Sequence, residues 1–122
     1  MPFFSPLFTD FPDRIAMTNT TSALLRHVVL FSFKPEASAE QVDAIVTGFG
    51  ALPQAVPGVV AYEWGTNVSP EGLNAGFTHC FTLTFNSAED RDAYLVHPNH
   101  QAFVEKLGPV IERPLVIDYW AQ

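Results

Sequence analysis

Cysteine is almost absent from this chain of 122 residues: Cys80 stands alone. A single thiol closes no intrachain disulfide and founds no cysteine-based zinc site. That usage suits a reducing compartment, so a cytoplasmic location is expected. Basic residues are scarce too, with six Lys and Arg against thirteen Asp and Glu, a net charge of −7 and a pI near 4.8. A field of that sign repels phosphate backbones and argues against a nucleic-acid partner. No apolar run reaches the roughly 18 residues of a membrane helix, so no membrane partner is expected. Phosphate-cradling GxGxxG and GxxxxGKS/T loops, the GxSxG elbow and the HExxH zinc motif are all missing. What remains is an apolar chain, 48% hydrophobic and only 16% charged. That is too apolar for disorder and long enough for one core of its own.

The first 22 residues differ from the rest. Phe3, Phe4, Phe8 and Phe11 are interrupted by Pro6, Asp10 and Pro12, which breaks the continuous apolar stretch of a signal peptide. Residues 1–22 read as an N-terminal arm, joined through the polar stretch Thr18 to Ser22 to a domain of residues 23–122. The arm is either an extension ahead of a more natural start at Met17 or a strap whose phenylalanines anchor on a hydrophobic groove.

Periodicity organises the domain. Residues 27–34 (HVVLFSFK) are β-branched and aromatic and predict a strand ended by Pro35. Ser38 with Gln41 fits a capping box, and Val42, Ile45, Val46, Phe49 and Leu52 then mark one helix face, closed by Pro53, Pro57 and Gly58. Strands follow over 59–67 and 77–85, separated by a Gly- and Asn-rich loop. Ser87 caps a short helix carrying Tyr94. Pro98 reopens a helix whose face holds Phe103, Leu107, Val110 and Ile111, and residues 115–120 form the last strand. The order is β-α-β-β-α-β, an α+β, ferredoxin-like fold. Its four-stranded antiparallel sheet has the first and third strands at the centre and the helices on one face.

Strand parity separates the two faces. His27, Val29, Phe31 and Phe33, with Phe77, His79, Phe81, Leu83 and Phe85, are expected under the helices, each aromatic contributing roughly 1.5–3 kcal/mol on burial. The opposite face is expected to carry Val28, Leu30, Ser32 and Lys34, then Thr78, Cys80, Thr82 and Thr84, then Val116, Asp118 and Trp120. That mixture suits a face covered by a second copy, giving a homodimer through the sheet face, or one covered by the arm in a monomer.

These segments resemble the stress-responsive A/B barrel (Dabb) family of dimeric α+β barrels. The likeness is carried by residues 26–34 (RHVVLFSFK), Glu63-Trp64-Gly65, Phe77-Thr78-His79, residues 94–100 (YLVHPNH) and Asp118-Tyr119. The resemblance implies a small-molecule pocket. In a plant polyketide cyclase of this family, which works without a cofactor, the catalytic Tyr and His fall on Tyr94 and His100. A first-strand His falls on His27 and another pocket His on His79. A further pocket Tyr falls on Phe49, which has no hydroxyl.

An imidazole titrating near pH 6.5 takes or gives a proton at neutral pH. His100 is the expected base and the Tyr94 hydroxyl the donor, with His27 orienting or polarising His100. His79, Phe49, Phe31 and Phe81 are the expected ligand-binding residues. His97, before a proline, reads as structural. His97 and His100 lack the companions of a zinc site, so no metal is expected, and the resemblance implies no cofactor. Three other readings stand beside a cofactor-free cyclase, lyase or isomerase acting on an apolar carbonyl compound: a binder of a small hydrophobic ligand, a stress-response dimer acting through its stability or a protein partner, and a cofactor-independent monooxygenase.

Overall fold

A computed structural model describes residues 23–122; the arm and its four phenylalanines lie outside the described residues. The elements run β1 (Leu25–Phe33), α1 (Ala39–Ala55), β2 (Val59–Thr66), β3 (His79–Phe85), α2 (Ala88–Val96), α3 (Pro98–Glu105) and β4 (Ile111–Trp120). The sheet order is β2-β3-β1-β4 and every neighbouring pair is antiparallel. This is the expected ferredoxin-like arrangement, with β1 and β3 central. No helix among the described residues is long and apolar enough to cross a membrane.

The helix starts follow their caps. Ser38 Oγ accepts from the Gln41 N–H at 3.1 Å while the Ser38 N–H donates to Gln41 Oε1 at 2.9 Å, the reciprocal box that satisfies two otherwise orphaned donors. Ser87 Oγ accepts from the Asp90 N–H at the start of α2. Helix α1 runs through Pro53 to Ala55, beyond the stop that proline suggested. Its buried face, Ile45, Phe49 and Leu52, lies on the sheet. The Phe49 ring stacks on Phe81 at 4.3 Å and 4°, and Phe31 and Phe103 close around the pair. Gly48 lets α1 and α3 approach, since a Cβ there would sit 3.2 Å from the Phe103 ring.

Other expectations need correction as well. Helix α3 stops at Glu105, so Val110 and Ile111 are buried by the following turn and by β4 rather than as part of a helix face. Strand β4 starts at Ile111 and runs through Pro114, which an edge strand tolerates because its outer N–H groups need no partner. Phe77 lies in the loop before β3, its ring 4.7 Å beneath the Arg113 guanidinium, and not in the row under the helices.

The consequential correction concerns the parity of β4. Its register pairs Asp118 with His27, Val116 with Val29 and Trp120 with Leu25. Directly paired residues share a face, so Val116, Asp118 and Trp120 lie on the helix side. The row on the open face is Leu115, Ile117 and Tyr119, opposite Leu30, Val28 and Arg26. Leu115, Ile117 and Tyr119 are all exposed.

Candidate active site

Helix α2 ends and α3 begins at one residue. His97 caps both: its N–H bonds back to the Tyr94 carbonyl, and its Nδ1 accepts from the Asn99 N–H at 3.1 Å. The lone pair on Nδ1 is thereby occupied, and the structure gives His97 the structural role that its place before Pro98 suggested. This break brings Tyr94, in the last turn of α2, next to His100, in the first turn of α3. Their ring centroids are 4.6 Å apart. His27, from the central strand below, lies 6.0 Å from the Tyr94 ring.

The three side chains line one cavity of about 530 Å³. Its floor is His27, Val29 and Phe31 from β1 with Pro114, Val116 and Asp118 from β4, and its roof is built from Phe49, Leu95, Phe103, Val104 and Leu107. Arg91 and Asp92 stand at the polar end. A largely apolar enclosure with a few convergent polar groups has the form of a small-molecule site.

Each polar group is held differently. The Leu95 carbonyl lies 3.0 Å from His100 Nδ1 and accepts its proton, which leaves Nε2 with the free lone pair. Burial, with the nearby His27 adding to it, lowers the His100 titration below the ordinary 6.5. The ring is therefore a neutral base at pH 7. Tyr94 is fully buried and, among the described residues, its hydroxyl has no hydrogen-bond partner. Burial raises its pKa above the ordinary 10, so the phenol keeps its proton. His27 Nδ1 lies 2.7 Å from Asp118 Oδ1, and Arg91 Nη1 donates to Asp118 Oδ2 at 2.6 Å. His27 is thus oriented by a carboxylate and makes no bond to His100: it does not orient that ring as one expectation had it, and acts on it only electrostatically.

Not every expected ligand-binding residue lies here. Phe31 and Phe49 line the cavity. Phe81 is completely buried beneath Phe49 and forms part of the core. His79 sits at the far end of the same face, paired with Phe31 in register and stacked on Trp64 at 6.1 Å. It is outside this cavity, and burial lowers its titration as well, against an opposing pull from Asp43. Asp118 and Arg91 were missed as site residues. The register of β4 on β1 reveals the first; the spacing of Arg91 three residues before Tyr94, on one helix face, is the signal for the second. Among the described residues no three His, Cys, Asp or Glu side chains gather closely enough to hold a metal ion.

Comparison with known proteins gives these features a family context. The model of the stress responsive A/B barrel domain (Dabb) matches residues 25–121. The Arabidopsis thaliana stress-response A/B barrel domain-containing protein HS1 is 37% identical over 95 residues, covering 78% of this chain and 87% of that protein. Olivetolic acid cyclase from Cannabis sativa is 27% identical over 95 residues, covering 78% and 94%. Among solved structures, the hydroxynitrile lyase from Passiflora edulis superposes with a TM-score of 0.76 at 30% identity, over 81% of this chain and 94% of its own. Further solved ferredoxin-like neighbours of unknown function, at 24–25% identity, are described as dimeric.

Proposed function

The chain belongs to the stress-responsive A/B barrel domain family, and on that premise we propose that its cavity binds a small apolar carbonyl compound and moves a proton on it without a cofactor. The observation that carries this reading is that Tyr94 and a neutral His100 line one apolar cavity, with the buried Tyr94 hydroxyl left without a partner among the described residues. Leaving such a hydroxyl unsatisfied costs about 1–3 kcal/mol, and a ligand oxygen is the partner that removes the cost.

Cyclase and hydroxynitrile-lyase chemistry make the same demand. A base must take a proton from a hydroxyl, or from a carbon beside a carbonyl, while a donor faces the oxygen that changes charge. His100 Nε2 is the base in this reading. Tyr94 donates to the ligand oxygen, and His27, braced by Asp118, makes the third polar contact. Phe31, Phe49 and Phe103 hold the apolar tail. The protein acts as a cytoplasmic homodimer joined through the open sheet face, where Val28, Leu30, Leu115 and Ile117 form an apolar row that no helix among the described residues covers. The dimeric description of its structural neighbours supports that assembly.

The test is native mass spectrometry of the protein after incubation with metabolite extracts. The expected result is a bound neutral carbonyl or hydroxyl compound, retained by the wild type and lost from Tyr94→Phe. A ligand retained equally by Tyr94→Phe and His100→Ala would overturn the reading.

A further inference from the structure

We propose that Arg91 is a positioning residue: it clamps Asp118 so that His27 keeps its proton on Nδ1 and offers the lone pair of Nε2 to a ligand. The inference rests on the cavity being the ligand site. It adds a residue outside the three that converge there and assigns a protonation pattern to one of them.

The geometry is specific. Asp118 uses its two oxygens separately. Oδ1 is 2.7 Å from His27 Nδ1 and Oδ2 is 2.6 Å from Arg91 Nη1. An ionised carboxylate only accepts, so the proton between Asp118 and His27 belongs to Nδ1. A carboxylate held at one oxygen alone still rotates about its last bond. The second, charge-assisted bond from the guanidinium removes that freedom. Arg91 has a second contact at the surface, its Nε donating to Asp92 Oδ1 at 2.8 Å. Arg91 and Tyr94 are three residues apart on α2, so one helix face carries both the clamp and the hydroxyl.

This arrangement differs from an ordinary surface ion pair, whose contribution is small. Asp118 and Arg91 are partly buried, each side chain 23% exposed, and the His27 side chain is only 6% exposed. The guanidinium is engaged by two carboxylates, which leaves it a poor site for an anionic ligand. With His27 Nε2 and His100 Nε2 both accepting, the polar end of the cavity favours a ligand head that donates a proton. A hydroxyl on or beside the carbonyl-forming carbon meets that requirement; a carboxylate does not.

The experiment is long-range 1H–15N NMR of the histidine rings, without ligand, at pH 7.5, on wild type, Arg91→Met and Arg91→Lys. The expected wild-type result is His27 with its proton on Nδ1. In Arg91→Met the Nε2-protonated form should rise at least about fivefold relative to wild type, while His100 keeps its own pattern; Lys, a point charge without the planar fork, should restore the wild-type tautomer in part. A wild-type His27 protonated on Nε2, or an Arg91→Met ratio equal to wild type, would overturn the proposal. If Arg91→Met does not fold, the wild-type tautomer together with Arg91→Lys still decides it. Titration of the wild type with benzaldehyde, followed at Tyr94 and His100, tests the ligand site independently. The clamp therefore fails or stands apart from the proposed function.

Discussion

Tyr94 and His100 face each other across the break between α2 and α3, ring centroids 4.6 Å apart and planes inclined by 49°, yet neither serves as the other's hydrogen-bond partner. His100 donates its Nδ1–H to the Leu95 carbonyl, and the Tyr94 hydroxyl has no partner among the described residues. Two groups capable of acid–base work are thus placed side by side without engaging each other.

Tyr94→Phe separates function from stability. It removes a buried hydroxyl that no described residue satisfies, so the variant should be as stable as the wild type or gain about 1 kcal/mol. Ligand binding should weaken at least about tenfold, roughly 1.4 kcal/mol. Urea denaturation and calorimetric titration with a ligand identified by native mass spectrometry check the two halves. A large stability loss would mean that the hydroxyl has a structural partner.

Asp118→Asn should destabilise the fold, because it replaces charge-assisted bonds to His27 and Arg91 with weaker neutral ones. A loss of about 1–2 kcal/mol is expected in the urea midpoint, the low end reflecting the partial exposure of the carboxylate. Asp92→Asn, which touches only the outer side of Arg91, should cost less than half as much.

Acid should weaken the fold through His100 and His79. Both titrate below the ordinary 6.5 in the folded state, chiefly because burial disfavours the charged ring. Between the folded and unfolded pKa the unfolded chain binds more protons, so stability is full above about pH 6.5 and is lost as pH falls through the folded values. Melting temperature measured from pH 7.5 to 5 should fall, and His100→Gln should flatten that slope. A slope unchanged in both His100→Gln and His79→Gln would contradict the burial of these rings as its source.

Ile117→Glu should break the dimer. Ile117 lies on the open face and is 53% exposed in the single chain. A sheet-to-sheet interface of more than about 1,200 Å² would bury it. Light scattering at micromolar concentration should show a dimer for the wild type and a monomer for the variant. A monomeric wild type would refute the assembly.

The elements that alternate cleanly were legible in the chain. HCFTLTF carries its large apolar residues, and HVVLFSF its aromatic ones, on one parity only, so β1 and β3 and their buried face follow directly, as does α1 from Ser38 and Gln41. Strand β4 is different. IERPLVIDYW is apolar on both parities, so no alternation chooses its face; the register on β1, shifted between Ser32 and Phe33, does. The wrong parity put Asp118 on the open face, away from His27, and so concealed the carboxylate of the site. The His97-Pro98 break identified the place where Tyr94 and His100 meet. Phe81 and His79 share the correct face, but face alone does not say which residues line a void and which lie beneath Phe49 or Trp64.

The most direct test of the central claim is the 1H–15N NMR titration of the wild type with benzaldehyde and its hydroxynitrile at neutral pH, repeated with Tyr94→Phe and His100→Ala. The account predicts saturable shifts centred on His27, Arg91, Tyr94 and His100, larger for the hydroxyl-bearing compound and reduced at least about tenfold in affinity in both variants. Shifts confined to the open sheet face, or undiminished in both variants, would contradict it.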